Sequence, residues 1–389
     1  MAEENRAAPG DNLHLTTSTK RIPELDGLRG LAILMVVTCH YIGASNTVHF
    51  GVWTRRLCRF TSIGWSGVDL FFVLSGFLIG GILLESRNFP RYFNTFYLRR
   101  THRILPIYYL WLIIFAGFVW LSVAINPQSL IQTDNLRHLP YYLTFLQNYL
   151  LYKAPIEFVL LGATWSLAVE EQFYLCTPLL IRFLNQRTLV AVLVTVVLLA
   201  PVLRLVICLV YPNYFTLVSS ATPCRADDLA CGVLAAVAFQ YAEFRQFLRQ
   251  HPKFLANSLL ILFFCLVLLG YWFFKPVSTV AVTVGYTCLG FFFLCLLLFV
   301  LSSTGSGLAG IMRSKVLRNF GMISYCVYII HYPVLAGVHA LLLRAQPDIS
   351  DWKGAGATLF AALLTWSLAT LSWYYFEKPL VRRGHQFTY

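Results

Sequence analysis

The sequence predicts an all-α protein, a polytopic transmembrane helical bundle of about ten spans with both termini in the cytoplasm. Composition is the first indication, because 58% of the 389 residues are hydrophobic and only 12% are charged, whereas soluble domains carry about 25% charged residues. The second indication is a series of apolar runs, each about as long as the 20 residues that a membrane-spanning helix needs. The third is the distribution of Lys and Arg between the connecting segments.

Ten runs are long and apolar enough to be interpreted as spans. They are Leu28–Ser45, Ser66–Leu84, Ile104–Ile125, Gly162–Phe183, Thr188–Tyr211, Ala226–Ala242, Phe254–Phe274, Thr279–Ser302, Gly321–Leu343 and Gly356–Phe376. The short aromatic segment Leu139–Tyr152 is instead predicted to be interfacial or re-entrant. Residues 1–20 are polar and have no apolar core of a signal peptide, so we expect a disordered cytoplasmic tail there. We expect a membrane domain over 21–381 and a second cytoplasmic tail over 382–389.

The basic residues support this topology. With the N-terminus inside, the inner segments hold 20 Lys and Arg and the outer loops hold 10, which is the bias that the positive-inside rule requires. The net charge of +13 is therefore spread between apolar runs rather than gathered in one patch, and this argues against a nucleic-acid partner. The ten cysteines form no CxxC pair, so we predict neither a disulfide framework nor a metal site.

One ionisable pair lies within the first predicted span. His40 is deep in the apolar run Leu31–Ala44, and Arg29 precedes it by eleven residues. At about 100° per residue, these two positions come within about 20° of the same direction and lie about 16 Å apart along the axis. Ionisable groups inside a membrane helix are costly and mark pairing or chemistry. His40 is therefore the candidate general base.

Carboxylates and a second imidazole are predicted at similar depths on other spans. They are Asp69, Glu170, Glu171 and His331. A carboxylate beside a histidine fixes its tautomer and stabilises the imidazolium, so we expect Asp69 or Glu170 to orient His40. Glu171 and His331 would support the site. The alternative is that each is a packing residue, satisfied by a hydrogen bond between helices.

A second cluster lies where the third span begins. Arg99, Arg100 and Arg103 meet the predicted inner face there, and Arg100 and Arg103 are i, i+3 neighbours. Two guanidinium groups on one helix face suit a phosphate-rich ligand at the cytoplasmic mouth, and Arg29 would add a further cation. The alternative is that these arginines only anchor the topology.

Two smaller patterns have structural interpretations. Asp227 and Asp228 lie near Arg225, and they could line an outer vestibule or form a local salt bridge. Gly76, Gly80 and Gly81 would allow close helix approach. The sequence contains no P-loop, dinucleotide fingerprint, HExxH or GxSxG motif, so nucleotide-cofactor, zinc-protease and serine-elbow chemistry have no support.

Taken together, these segments resemble the acyltransferase-3 family of integral membrane O-acyltransferases. The resemblance runs in the family's order from Arg21 to Leu380. It is carried by RIPELDGLRGLAILMVVTCHY, GVDLFFVLSGFLI, YLRRTHRILPIYY, ATWSLAVEEQFYL, ISYCVYIIHYP and FEKPL. The family typically has ten helices and transfers an acyl group from acyl-CoA to a hydroxyl, often on a sugar.

The resemblance implies roles for particular residues. His40 and Arg29 match the functional pair of the family's first helix, and Arg100 and Arg103 match an RxxR element thought to engage the CoA end of the donor. Asp69 matches the acidic position of the second-helix motif.

Two further motifs supply carboxylates. Glu170 matches the acidic position of the WSL-x-x-E segment that begins at Trp165, and Glu377 matches that of the terminal FE-x-P. We expect Trp165, Glu377, Glu171 and His331 to support the site or to contact the acceptor.

The functional hypothesis is acyl transfer at the plasma membrane of a bacterium. Acyl-CoA, with acetyl as the default acyl group, would be a co-substrate, and no cofactor would be bound permanently. The acceptor would be a sugar hydroxyl of an envelope glycan or glycolipid, or of a glycosylated small molecule such as a macrolide. The alternative from another class is a proton-coupled secondary transporter, with His40, Asp69 and Glu170 as the proton relay.

Overall fold

A computed structural model describes residues 22–44, 51–125, 138–150, 161–211, 214–273, 279–303 and 305–389. Within these ranges the chain forms helices and no strand, so the predicted all-α class is confirmed. Residues 1–20, predicted to be a disordered tail, lie outside the described residues.

The α-helices of the described ranges are numbered here in chain order. They are α1 (Pro23–Thr38), α2 (Val52–Ser62), α3 (Gly67–Ser86), α4 (Tyr92–Ile125), α5 (Leu139–Leu143), α6 (Trp165–Phe183), α7 (Gln186–Val210), α8 (Tyr214–Ser220), α9 (Thr222–Phe239), α10 (Ala242–Gln250), α11 (Pro252–Phe273), α12 (Thr279–Ser302), α13 (Gly307–Met312), α14 (Lys315–Leu343), α15 (Trp352–Ser372) and α16 (Lys378–Gly384). Two of them continue into π-helical turns, Cys39–Gly43 after α1 and Trp373–Glu377 after α15.

Within the described residues, each of the ten predicted spans overlaps one of these helices. Eight helical segments of the described residues are long and apolar enough to cross a bilayer, and the protein is a multi-pass membrane protein. The helices at the predicted fourth and sixth spans, α6 and α9, are not among the eight. Each of them carries three charged residues, which is more than lipid-facing helices normally contain. The count of ten spans and the location of both termini stay predictions.

Glycines let two helix pairs approach closely, α3 against α9 and α1 against α14. A Cβ on Gly76 would overlap the carbonyl of Leu229, and Gly232 lies directly opposite Gly76. A Cβ on Gly30 would overlap the carbonyl of Leu317. Helices in lipid associate through such close packing, because burial of apolar surface gives them little driving force. The predicted close approach at Gly76 is confirmed.

Buried ion pairs tie α3, α7 and α9 together. Arg225 Nη2 donates to Asp69 Oδ1 at 2.5 Å and to Asp228 Oδ2 at 3.1 Å. Arg204 forms a bidentate pair with Asp227, at 2.9 and 3.2 Å. All five side chains are at most 1% exposed. Of the two predicted roles for Asp227 and Asp228, the structure therefore supports the salt bridge.

The segment Leu139–Tyr152 does not cross the membrane within its described part. Its helix α5 has five residues, far fewer than a span needs. The buried side chains of Gln147 and Asn148 donate to the carbonyls of Thr164, at 3.1 Å, and Ser220, at 3.2 Å. The segment is thus fastened to the bundle through its polar groups, as a re-entrant piece requires. Its last two residues lie outside the described ranges.

The C-terminal residues 382–389, predicted as a tail, pack against α4. Arg99 Nε donates to the carbonyl of Phe387 at 2.9 Å, and Thr95 Oγ1 donates to the carbonyl of Thr388 at 2.8 Å. This segment therefore covers part of α4 instead of extending away from the bundle.

Removal of the Arg225 guanidinium is expected to destabilise the fold. In Arg225→Gln, the buried Asp69 carboxylate loses its partner, which typically costs about 3–5 kcal/mol. Asp69→Asn should cost less in the Arg225→Gln background than in the wild type, because the two side chains interact directly. Thermal unfolding of the detergent-solubilised protein measures both effects, with Arg187→Gln, an exposed arginine on α7, as the matched control. Equal costs of Asp69→Asn in both backgrounds would contradict this interpretation.

Candidate active site

Two imidazoles from distant parts of the chain meet inside the bundle. His331 Nε2 on α14 lies 3.1 Å from His40 Nδ1, on the π-helical turn after α1. The ring centroids are 4.9 Å apart. His331 is fully buried, whereas His40 is half-buried. Two helices thus bring the candidate base and a second histidine into direct contact.

The partners of the two rings determine their tautomers. His331 Nδ1 faces the carbonyl oxygens of Tyr328, at 2.7 Å, and Val327, at 3.2 Å. Carbonyl oxygens only accept, so this nitrogen carries the proton and His331 Nε2 is an acceptor. His40 Nδ1 must then be the donor to His331, and it also faces the carbonyl of Val36 at 3.1 Å. The proton-free nitrogen of His40 is therefore Nε2, as a general base requires.

Aromatic and hydroxyl side chains hold the pair in position. The Tyr41 hydroxyl donates to the carbonyl of His331 at 2.8 Å, and Thr365 Oγ1 lies 2.8 Å from the same hydroxyl. The Tyr332 ring meets His40 edge-on, with 5.8 Å between centroids. Neighbours therefore constrain both rings, which favours a preorganised site.

The predicted pairing of His40 with Asp69 is wrong. Among the described residues, the side chain that hydrogen-bonds to His40 is His331, and Asp69 pairs with Arg225. The physical reason is that a carboxylate without access to water needs a nearby cation more than an imidazole does. The orienting role predicted for Asp69 has no contact to support it.

Glu170 makes no hydrogen bond to His40 among the described residues, so the predicted orientation of His40 by this carboxylate has no contact to support it either. Its Oε2 accepts from the Tyr174 hydroxyl at 3.1 Å, and that hydroxyl lies 2.6 Å from Ser75 Oγ. The Arg100 guanidinium lies 5.4 Å from the centroid of the Tyr174 ring and within electrostatic reach of both Glu170 and Glu171. Glu170 therefore belongs to a polar cluster around Arg100.

This cluster lines a cavity of about 90 Å³ between α1, α3, α4, α6 and α14. Arg29, Arg100 and Arg103 all reach the cavity, together with Glu170. Further polar groups come from Ser75, Ser166, Tyr174, Ser324, Tyr325 and Tyr328. Three guanidinium groups together with several hydroxyls can bind a ligand that carries both phosphate and other hydrogen-bonding groups.

Arg99, which was grouped with Arg100 and Arg103 as a candidate phosphate-binding residue, does not line this cavity. The Arg99 Nε donates a hydrogen bond to the carbonyl of Phe387, and the Arg99 guanidinium lies 4.8 Å from the centroid of the Tyr389 ring. Adjacent residues of a helix point about 100° apart, so Arg99 faces the C-terminal segment while Arg100 faces the cavity.

Tyr328, which the sequence analysis did not single out, lies between the cavity and the histidines. Its ring lines the cavity, and its hydroxyl lies 2.5 Å from Ser166 Oγ and donates to the Ala163 carbonyl at 2.9 Å. The same ring is 5.8 Å from His331 by centroid, and the Tyr328 carbonyl accepts from His331 Nδ1. Its position three residues before His331, one helical turn away, is the signal that could have identified it.

Trp165 and Glu377, the other predicted site residues, contact other side chains than the two imidazoles. The Trp165 ring packs edge-on against Phe72, at 6.1 Å. Glu377 lies on the second π-helical turn, accepts from Ser372 Oγ at 3.0 Å and is within electrostatic reach of Arg103. Within the described residues, no group of three or more His, Cys, Asp or Glu side chains could hold a metal ion.

Comparisons with known proteins cover nearly the whole chain. Residues 22–376 match the sequence profile of a family described as "Acyltransferase domain". Similar proteins include peptidoglycan O-acetyltransferase OatA of Listeria monocytogenes, 28% identical over 94% of this chain, and putative peptidoglycan O-acetyltransferase YrhL of Bacillus subtilis, 28% identical over 95%. O-acetyltransferase OatA of Staphylococcus aureus is 25% identical over 94%. The chain spans 57%, 56% and 58% of these relatives, a little over half of their length. No solved structure matches it.

The acceptor at His331 Nε2 should control the tautomer of His40. His331→Leu removes this acceptor and leaves the Val36 carbonyl as the remaining partner of His40 Nδ1, so we expect the form protonated on Nδ1 to become less populated. His331→Gln offers an amide oxygen and should retain more of the form protonated on Nδ1. The ¹⁵N chemical shifts of selectively labelled histidine report the tautomer directly. An unchanged His40 signal in His331→Leu would show that His331 does not set it.

Proposed function

The chain belongs to the acyltransferase family matched by residues 22–376, and from this premise we propose that it is a membrane O-acetyltransferase acting on a cell-wall glycan of a bacterium. Acyl-CoA would supply the acyl group. The observation that carries the proposal is the hydrogen-bond chain from the Tyr328 carbonyl through His331 to His40, which leaves His40 Nε2 as the base. The names of the relatives, which include peptidoglycan O-acetylation, support the choice of acceptor.

The cavity supports acyl-CoA as the donor. Guanidinium groups bind phosphate oxygens through paired hydrogen bonds, and Arg29, Arg100 and Arg103 bring three of them to one cavity. The pantetheine arm carries amides and a hydroxyl, which need hydrogen-bonding partners when they leave water. The hydroxyls of Ser75 and Tyr174 lie along the same cavity.

The proposed reaction is a direct transfer. His40 Nε2 accepts the proton of a sugar hydroxyl while the hydroxyl oxygen attacks the thioester carbonyl. The tetrahedral intermediate then collapses, the carbon–sulfur bond breaks, and the leaving thiolate takes the proton from the His40 imidazolium. The products are the sugar ester and CoA thiol. A thioester is already activated, so a base suffices and no acyl-enzyme is required.

The donor must pass Tyr328 to reach the base. The histidines do not line the cavity, and the Tyr328 ring lies between the two sites. In our proposal the Tyr328 side chain leaves its contact with Ser166 when the pantetheine arm enters. Its carbonyl belongs to the helix backbone, so it keeps its hydrogen bond to His331 during this movement.

Replacement of His40 tests the base. His40→Gln should lower kcat by about 10²–10⁴, the usual contribution of general base catalysis. The assay follows labelled acetyl from acetyl-CoA to peptidoglycan fragments, with the purified protein in liposomes. His251→Gln, at an exposed histidine, is the matched control and should leave kcat unchanged. Full activity of His40→Gln, with wild-type thermal unfolding, would exclude His40 as the base.

Replacement of the cavity arginines tests the donor. Arg100→Gln and Arg103→Gln should each raise the KM for acetyl-CoA by about tenfold or more, because hydrogen bonds to charged groups contribute about 1.5–3 kcal/mol. The KM for acetyl-pantetheine, which has no nucleotide phosphates, should not change. Arg99→Gln is the matched control, since this neighbour faces the C-terminal segment. If all three variants behave alike, Arg100 and Arg103 do not bind the phosphates.

A further inference from the structure

Helix α2 lies against the turn that carries His40. Cys39 Sγ donates to the carbonyl of Ser62 at 3.3 Å, and a Cβ on Gly43 would overlap the backbone of Ser62. The last turn of α2 therefore packs directly on the π-helical turn Cys39–Gly43. A shift of α2 would be transmitted to the residues on both sides of His40.

The length of the following span indicates that α2 lies at the membrane surface. The segment Val52–Ser86 has 35 residues, which would extend about 52 Å as one straight helix. The hydrocarbon core is about 30 Å thick, and the 20 residues of α3 already cover it. Helix α2 is thus left at the end of this span, where the chain meets the lipid headgroups.

One face of α2 is apolar and exposed. At 100° per residue, Trp53, Leu57 and Phe60 point within about 60° of one another. Their side chains are 79%, 49% and 73% exposed. Cys58, on a different face, is 1% exposed and packs against the protein. Large apolar side chains at a membrane boundary gain stability by entering the interface between headgroups and acyl chains, which tryptophan in particular favours.

The adjacent face of α2 is basic. Arg55, Arg56 and Arg59 point within about 100° of one another, and all three residues are exposed. The Arg56 guanidinium lies 5.1 Å from the centroid of the Trp53 ring, so the basic and apolar faces share an edge. A basic face beside an apolar face is the pattern of a helix that lies in an anionic membrane surface.

We propose that α2 is an interfacial helix whose basic face binds the phosphate groups of anionic phospholipids next to His40. The apolar face favours this occupant, because Trp53, Leu57 and Phe60 can enter the boundary with the acyl chains while Arg55 and Arg56, on the adjacent face, reach the phosphates above that boundary. The contact holds α2 against the Cys39–Gly43 turn. The lipid surface thereby stabilises the conformation of that turn, and its absence loosens the site.

The first test measures lipid binding and does not depend on the proposed enzymatic activity. The full chain is placed in nanodiscs of phosphatidylcholine with increasing fractions of phosphatidylglycerol, and native mass spectrometry counts the lipids that stay bound. We expect the wild type to retain phosphatidylglycerol preferentially. Arg55→Gln with Arg56→Gln should weaken this retention about fivefold for each arginine removed. Arg55→Lys with Arg56→Lys keeps the charge and should retain most of the preference.

The second test measures acetyl transfer in the same nanodiscs. The wild-type rate should rise with the phosphatidylglycerol fraction, and the rate of the Arg55→Gln, Arg56→Gln variant should not. Arg187→Gln with Lys253→Gln removes the same charge from other exposed sites and should keep the wild-type dependence.

Two results would overturn the proposal. One is equal lipid retention by the wild type and the glutamine variant. The other is a loss of acetyl transfer by the glutamine variant that appears with an acceptor linked to a polyprenyl diphosphate but not with a soluble glycan fragment. Such a result would show that the basic face binds the acceptor. If no acetyl transfer is found at all, the proposed function fails. The number of phosphatidylglycerol molecules retained by the wild type and by the glutamine variant still tests whether α2 binds anionic lipid.

Discussion

The architecture depends on one constraint: inside a membrane-embedded bundle, a polar side chain must find its partner within the protein. Asp69 illustrates it, because its carboxylate is fully buried and is bound by Arg225. That ion pair joins α3 to α9 and occupies the Asp69 carboxylate with Arg225. Glu170 is likewise bound, to Tyr174. With both carboxylates occupied elsewhere, the partner left for His40 is the neutral ring of His331.

The sequence predicted the helices and the cluster of cavity arginines well, because both depend on patterns among residues that are close in the chain. Apolar runs mark the helices, and the i, i+3 spacing correctly grouped Arg100 with Arg103, which both reach the cavity with Arg29. The contact between His40 and His331 joins residues 291 positions apart. Such contacts depend on which helices pack together, and spacing along the chain does not encode this. The same limit explains why Asp69 was assigned to His40, since Arg225 is 156 positions away.

Local departures from regular helix geometry were also beyond prediction. Arg29 and His40 share a face in a helix with 3.6 residues per turn, yet His40 is the second residue of a π-helical turn. The sequence CHYIG has no feature that distinguishes such a turn from an ordinary apolar helix. Glu377 lies on the other π-helical turn. Turns of this kind recur at functional sites because they redirect one side chain while the helix continues, which agrees with the proposal that both residues belong to the site.

A histidine as the partner of His40 has a consequence for the proposed reaction. A carboxylate in the place of His331 would make His40 a stronger base, but it would also keep a negative charge beside the oxyanion that forms on the thioester carbonyl. At an effective dielectric constant of about 20, two negative charges within roughly 10 Å of each other repel by about 2 kcal/mol. His331 fixes the tautomer of His40 through one hydrogen bond and adds no charge. A thioester needs less activation of its attacking hydroxyl than an amide does, so a weaker base in a neutral setting is sufficient for acyl transfer from CoA.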